Sequence, residues 1–437
     1  MTHDDLLEVI TDLHMNPRVI FPFGHPKRIN RFAFVVHPLS QEFLKKIKPV
    51  GWVTKFAPKG ALSAVEKAAA YSPPFLYSKV TGIKSPDGTE AEGWLIAIGA
   101  TPRQMRSHSP EFTNQRLLKA AKMAKNLGAQ ILGLGALSKA MGDAGVTVAK
   151  FSEIPVTTGN SFSASAALWA AAEAVRRMGM LKKSKDKKLK GKTMVIGATG
   201  AVGSVCAKLL ATAFEEVCMV DVHHAKLLAL QESIEKELPG VKVNVTTRQD
   251  KYIEDMDVIV TATAGTGGNA VLDIMKVKPG CVITDVNRPL NFTVKEADKR
   301  PDVLIIASGE ITLPGEPEMG DIGLPQGVAY ASLAETIVLA LEGRFESFSV
   351  GRDIKWENVS EIYKLALKHG MELAGISGLR GALKDEDFQR VRDLALAARK
   401  ERGPSAATKT KKEKIADKPA DRKKTAAGAK PKSSSKK

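Results

Sequence analysis

The chain has 437 residues with 65 Lys and Arg against 48 Asp and Glu, a formal net charge of +17, and 43% hydrophobic residues. That is enough apolar material for two or three ordinary domains, and it excludes disorder throughout. The positive charge is largely local: residues 404–437 hold twelve Lys and Arg against three acids, and residues 182–192 hold seven Lys against Asp186, so the rest is nearly balanced.

The N-terminus, MTHDDLLEVI, is acidic and no apolar run follows it, unlike a secretory signal. Residues 31–37, 51–55, 75–80 and 93–99 read as strands. Leu117, Leu118, Ala121, Ala124 and Leu127 lie at helical spacing over residues 114–127, with Gly128 suited to the C-cap, and residues 130–135 read as a buried strand. Asn160 or Ser161 can cap a long Ala-rich helix that ends near Gly179. Its least polar part, residues 164–175, is shorter than the roughly 18 apolar residues a spanning helix needs, so no membrane span and a cytoplasmic location are expected.

The Lys182 to Lys192 run marks a boundary. Beyond it, residues 192–197, 216–221, 241–246, 257–262, 281–285 and 303–307 form six short apolar strands with helical segments in most intervals. Such alternation implies a parallel, doubly wound sheet covered on both faces. After Tyr330 the chain reads as helical through Leu379, followed by an amphipathic segment over 380–402. The tail from Gly403 has hardly a large apolar side chain and is expected to be disordered, binding polyanions weakly or serving solubility. The expected fold class is α/β: a substrate domain at 1–185, a Rossmann-type domain at 186–328, a helical segment at 329–402 and the basic tail at 403–437. Cys206, Cys218 and Cys281 each sit in an apolar run without metal-ligand spacing, and read as buried, inert thiols.

The first strand of the second region runs directly into Gly197-Ala198-Thr199-Gly200-Ala201-Val202-Gly203 and then a helical pattern. Glycines there let the backbone turn tightly, approach a pyrophosphate and aim helix N-terminal amides at its charge. Asp221, at the end of the next strand, is placed to accept from ribose hydroxyls and to repel a 2′-phosphate, which favours NAD over NADP; His223, His224 and Lys226 stand against this. Thr261, Ala262 and Thr263 are expected beside the nicotinamide ribose. Asp285, with Asn287, Arg288 and Pro289, is expected on the same edge, although ordinary turn chemistry explains both segments as well.

Taken in order, several segments resemble the long-chain acyl-acyl-carrier-protein reductase family. They are Phe34-Val-Val-His37, Glu92-Gly93, Leu132-Gly-Leu-Gly135-Ala-Leu-Ser138, Thr157-Thr158-Gly159-Asn160, Gly197-Ala-Thr-Gly200, Ala334-Glu335, Glu342-Gly343, Phe348-Ser349-Val-Gly351-Arg352 and Lys368-His369-Gly370. The resemblance covers roughly residues 30–375. It implies reduction of an acyl thioester to an aldehyde through a cysteine acyl-enzyme, with NADPH as the family's usual cofactor and an acidic carrier protein as a partner for the basic segments.

The family's nucleophile position holds Ser332 in this chain. A thiolate attacks and leaves well, whereas a serine hydroxyl is a weak nucleophile at its own pKa. Tyr330, Ser332 and Glu335 are then the groups expected to donate a hydrogen bond or move a proton at the reacting carbonyl. His37 and His369 match family positions, and the Thr157 to Asn160 turn either points polar groups into a cleft or caps its helix. Two other readings stand beside this one. The chain resembles in architecture the shikimate and amino-acid dehydrogenases, whose carbonyl or hydroxyl substrates need no covalent intermediate; or it is a cofactor-binding sensor or scaffold.

Overall fold

The computed structural model describes residues 29–36, 71–99, 108–135, 143–183, 188–263, 271–287, 290–307 and 309–402. The expected strand at 51–55, His37, Ser138, Gly265, Arg288, Pro289 and the tail from Gly403 lie outside them.

The first sheet has strand order β14-β2-β3-β1-β4-β5, built from β1 (Ile29–Val36), β2 (Phe75–Lys84), β3 (Glu90–Ala97), β4 (Ile131–Gly133), β5 (Val156–Thr157) and, from far along the chain, β14 (Gly315–Glu318). β3, β1, β4 and β5 are parallel, while β2 and β14 add antiparallel at the edge. Helix α1 (Pro110–Asn126) buries Leu117, Ala120, Ala121 and Ala124 against one face, its first turn capped by Ser109. Short α2 (Val146–Phe151) follows. Glycines in this sheet serve close packing. A side chain on Gly93 would stand 2.6 Å from the Phe32 ring, and one on Gly133 would stand 2.4 Å from the Phe34 ring and 2.1 Å from Thr336 Oγ1.

Helix α3 (Asn160–Met178) carries the chain onward to β6 (Lys182–Lys183) and the second sheet. Its parallel core runs β12-β11-β10-β7-β8-β9: β7 (Leu189–Ile196), β8 (Phe214–Val220), β9 (Lys242–Thr246), β10 (Val258–Thr261), β11 (Val282–Asp285) and β12 (Leu304–Ala307). Order reverses between β7 and β10, as in a Rossmann-type doubly wound sheet. The chain is therefore an α/β protein whose second sheet has the expected form. One face of that sheet packs under α4 (Ala201–Ala213) and α5 (His224–Glu237), with α3 continuing the cover toward β11 and β12. The other face, from Met194 to Ile305, is closed by 3-10 turns at 249–255 and 274–276, by the one-turn helix Val294–Ala297 and by loop residues such as Phe292, in place of the longer helices expected. No helix among the described residues is long and apolar enough to cross a membrane.

The region after β12 departs most from expectation. β13 (Glu310–Thr312), β15 (Val328–Tyr330) and β16 (Glu372–Leu373) form a small third sheet, while β14 returns to the first. Helices are confined to α6 (Ala331–Glu342), α7 (Trp356–Lys368) and α8 (Asp385–Arg402), with β17 (Ser377–Gly378) and β18 (Gly381–Ala382) joining the second sheet beyond β12. The continuous helix expected through Leu379 is broken by Gly343 and Gly370, both at positive φ. Helix α6 buries ten of its twelve residues and packs on β1, β4 and α3, so it belongs to the first sheet's core.

Candidate functional site

The glycine loop is a tight structure in which each glycine has a separate reason. Gly197 sits at φ +84, and a side chain there would meet Ala262 O at 2.7 Å. A side chain on Gly203 would stand 2.1 Å from Gly197 O, so its absence lets α4 lie directly on the turn. Gly200 is the extended N-cap of α4 and has no side chain of its own to cap the helix. Val202 turns its side chain into the core at 5% exposure, whereas Ala201 is only half-buried, so α4 offers its first amides from the backbone.

Asp221 braces this loop from the end of β8. Its Oδ2 accepts from Thr199 N at 3.0 Å and its Oδ1 from His223 N at 3.2 Å. Burial pushes its carboxyl up, but hydrogen bonds from Thr199 and His223 and the nearby His223 imidazole outweigh this, and the net shift is below the ordinary aspartate range. From Thr199 a groove of about 1490 Å³ runs between α4, α5 and residues 352–358, with Lys208, Lys226, Arg352 and Trp356 among its walls.

Two residues expected at the cofactor edge stand at the ends of β10 and β11, with their side chains enclosed. Thr261 and Asp285 are both fully buried; the Thr261 hydroxyl donates to Asp285 Oδ1 at 2.9 Å. The carboxylate also accepts from Asn287 N at 3.1 Å, Asn287 Nδ2 at 2.8 Å, Asn291 N at 2.6 Å and Asn291 Nδ2 at 3.2 Å. Asp285 thus anchors the loop after β11 from beneath. Of the neighbouring candidates, Ala262 continues the ladder through its N–H to Ile196 O, and Thr263 accepts from Asn291 Nδ2 at 3.3 Å.

The second constellation gathers at the start of α3. Glu335, expected to move a proton at a substrate, is 0% exposed and points at that helix end. Its Oε1 pairs with the Thr157 hydroxyl and accepts from Gly159 N at 3.2 Å, and its Oε2 accepts from Phe162 N at 2.8 Å. Burial raises its carboxyl above the ordinary glutamate range despite those hydrogen bonds. A neutral acid also completes the network, because Thr157 has one hydroxyl hydrogen and Phe348 O lies 2.7 Å from its Oγ1. Glu335 therefore acts as a cap supplied across 173 residues of sequence, a role that α3, with Gly159 at its N-cap, cannot fill locally.

Ser349, at φ +52, joins the same knot: its Oγ accepts from Ser161 N at 3.1 Å and bonds Ser161 Oγ at 2.6 Å, while its carbonyl accepts from Thr158. Ser332 lies one turn before Glu335, so close to Gly159 that a side chain there would stand 2.4 Å from Ser332 Cβ. Tyr330 is half-buried at the N-cap of α6, its hydroxyl 3.5 Å from Ile322 O. His369 is 1% exposed between Ser85 Oγ at 2.9 Å and Glu342 Oε2 at 2.7 Å, a structural bridge. The three cysteines are buried; the Cys206 and Cys218 thiols are pushed up to about 12 by burial, and Cys281 is raised by the same cause.

Comparison with known proteins follows this geometry only in outline. No family model matches the chain. A curated relative, the aminotransferase PigE of Serratia sp., is 26% identical over 349 residues, which are 78% of this chain and 39% of the relative. The chain thus spans well under half of that protein. Among solved structures, quinate dehydrogenase from Corynebacterium glutamicum in complex with NAD shares 12% identity over 78% of this chain and 99% of that one, at a TM-score of 0.35. Escherichia coli YhdH with bound NADPH shares 20% identity over 34% of this chain and 43% of that one, at a TM-score of 0.23. These structural similarities are too distant to assign a ligand or a reaction.

The findings correct the expected membership of the acyl-acyl-carrier-protein reductases, since the curated relative the chain resembles is an aminotransferase. The residues that carried the resemblance have a physical account of their own. Gly93, Gly133, Thr157, Gly159, Glu335, Ser349 and His369 are packing and hydrogen-bonding positions of the first sheet and its two central helices.

Proposed function

We propose that the chain is a nicotinamide-dependent oxidoreductase acting on a carbonyl or hydroxyl group of a small molecule, in an architecture like that of the shikimate dehydrogenases. The observation that carries this reading is the loop from Gly197 to Gly203. Its residues fit a dinucleotide: Gly203 lets helix and turn close together, the first turn of α4 presents uncapped backbone amides and a positive helix end, and Asp221 fixes the loop from the neighbouring strand. Bound there, the nicotinamide would supply or accept hydride.

The chain's own residues would bind and orient. Backbone N–H groups at the start of α4 hold the diphosphate. Asp221, ionised well below neutrality, accepts from ribose hydroxyls and disfavours a 2′-phosphate, so NAD is the preferred form. Hydride transfer to a carbonyl needs no acyl-enzyme, in keeping with three buried cysteines whose thiols are all raised. Ser332 and Tyr330, at the start of α6, would supply the hydroxyl groups that hydrogen-bond the reacting oxygen.

Fluorescence titration of the purified chain with NADH and NADPH tests the cofactor step. Absorbance at the nicotinamide band, with quinate, shikimate, and 2-oxo and 2-hydroxy acids, tests the reaction. Binding of NADH with turnover of a panel member is the expected result; no association with either cofactor sinks the reading.

A further inference from the structure

The beginning of α3 leaves one donor position unused. A helix start has four backbone N–H groups without an intrahelical acceptor. Gly159 N and Phe162 N are taken by Glu335, and Ser161 N by Ser349 Oγ. The fourth, Asn160 N, pairs with nothing among the described residues, and the same holds for the Asn160 carboxamide, although the residue is only 7% exposed. The carboxamide atoms of this largely buried residue are not among the fully enclosed side-chain atoms without a partner, so they keep an opening through which a partner from outside the chain can reach them, beside a backbone N–H that is also unpaired.

Direction follows from helical spacing. Ala164 is four residues on and shares the face of Asn160. It packs in one cluster with Ala198 and Val202 of the glycine loop and its helix. Ser332 lies against Gly159 immediately before. Asn160 is therefore placed between the cofactor loop and the start of α6.

We propose that Asn160 is the substrate-orienting residue, and that its carboxamide and backbone N–H, at the positive end of α3, hold a carbonyl or carboxylate oxygen of the small-molecule substrate. Thr157, Thr158 and Glu335 do not share this role, since their polar atoms are spent on the knot that fixes the turn. The proposal rests on the oxidoreductase reading for the class of ligand alone. The donor count stands without it.

The test compares the full chain with Asn160→Ala and Asn160→Asp. Ligand-observed NMR is run with pyruvate, lactate and cyclohexanone at millimolar concentration, with and without NADH, so that carboxylate and carbonyl sources are told apart. At least one probe is expected to bind the wild type and to lose about tenfold in affinity in Asn160→Ala, the loss of one such hydrogen bond, and at least as much in Asn160→Asp, whose charge repels the oxygen. NADH affinity of Asn160→Ala should stay within about twofold of the wild type. Its melting temperature should stay within a few degrees of the wild type's, because the carboxamide that is removed makes no hydrogen bond among the described residues. Absence of binding by every probe, equal binding by all three proteins, or a melting temperature several degrees lower in Asn160→Ala overturns the proposal. Failure of NADH to bind the wild type would instead overturn the cofactor reading, and the probe measurement without NADH still decides the role of Asn160.

Discussion

At Gly203 the space for a side chain is missing altogether, since an added Cβ meets Gly197 O at 2.1 Å. Gly203→Ala is expected to push α4 off the turn, to destabilise by about 1–3 kcal/mol as overpacking does, and to abolish NADH binding; thermal melts and fluorescence titration read the two effects. Asp221 holds Thr199 N and, in the proposed function, would also accept from the nucleotide ribose. Asp221→Ala should weaken NADH about tenfold or more, the usual loss for a charged hydrogen bond, while NADPH loses less or gains. Parallel titrations with both cofactors give the ratio. The glycines and Asp221 could be picked out beforehand because each is demanded by chain neighbours within one strand-turn-helix unit. Asp285 and Thr261 could not be placed so well. Their position at strand ends is equally compatible with facing a ligand and with anchoring a loop, and only the closure of Asn287 and Asn291 over the carboxylate decides for the second.

Helix α3 shows how an element is completed by parts remote in sequence. Its length and Ala-rich face are evident locally, but its N-cap, Gly159, has no side chain, and the cap comes from Glu335 and Ser349. Glu335→Ala leaves the backbone N–H groups of Gly159 and Phe162 without their partner and should cost on the order of 3 kcal/mol in urea unfolding. The raised Glu335 carboxyl also gives a sign for the pH dependence. A group that binds its proton more tightly when folded contributes fully below its unfolded pKa of about 4.3, and that contribution falls as pH rises toward the folded value. Glu335→Gln cannot titrate, so its stability relative to the wild type should rise between pH 4 and pH 8; urea melts at pH 4, 6 and 8 that show a constant difference would contradict this. The short strands β13 to β18 were not foreseen. Segments of two to four residues such as Gly315–Glu318 carry no readable alternation, and they are strands only because an edge of another sheet pairs with them.

On the scale of the whole molecule, α3 packs against α6, α4, α7, α8 and β11, β14 carries the chain back to the first sheet after β12 of the second, and β17 and β18 then return to the second. Folding of the two sheets is coupled through these returns. A single calorimetric transition is therefore expected, where two sheets joined by a linker alone would give two. What the amino-acid order determined by itself is what neighbours in sequence dictate: apolar runs for six parallel strands, helical spacing for α1 and α3, and the glycine turn with its aspartate, because periodicity and backbone freedom act over a few residues. What the tertiary structure decided is the fate of the polar side chains. Whether Glu335, Asp285 or His369 caps a helix, anchors a loop or ties a turn to a helix end depends on which distant segment closes over it. Desolvation is a property of that enclosure, and nothing in the local sequence records it.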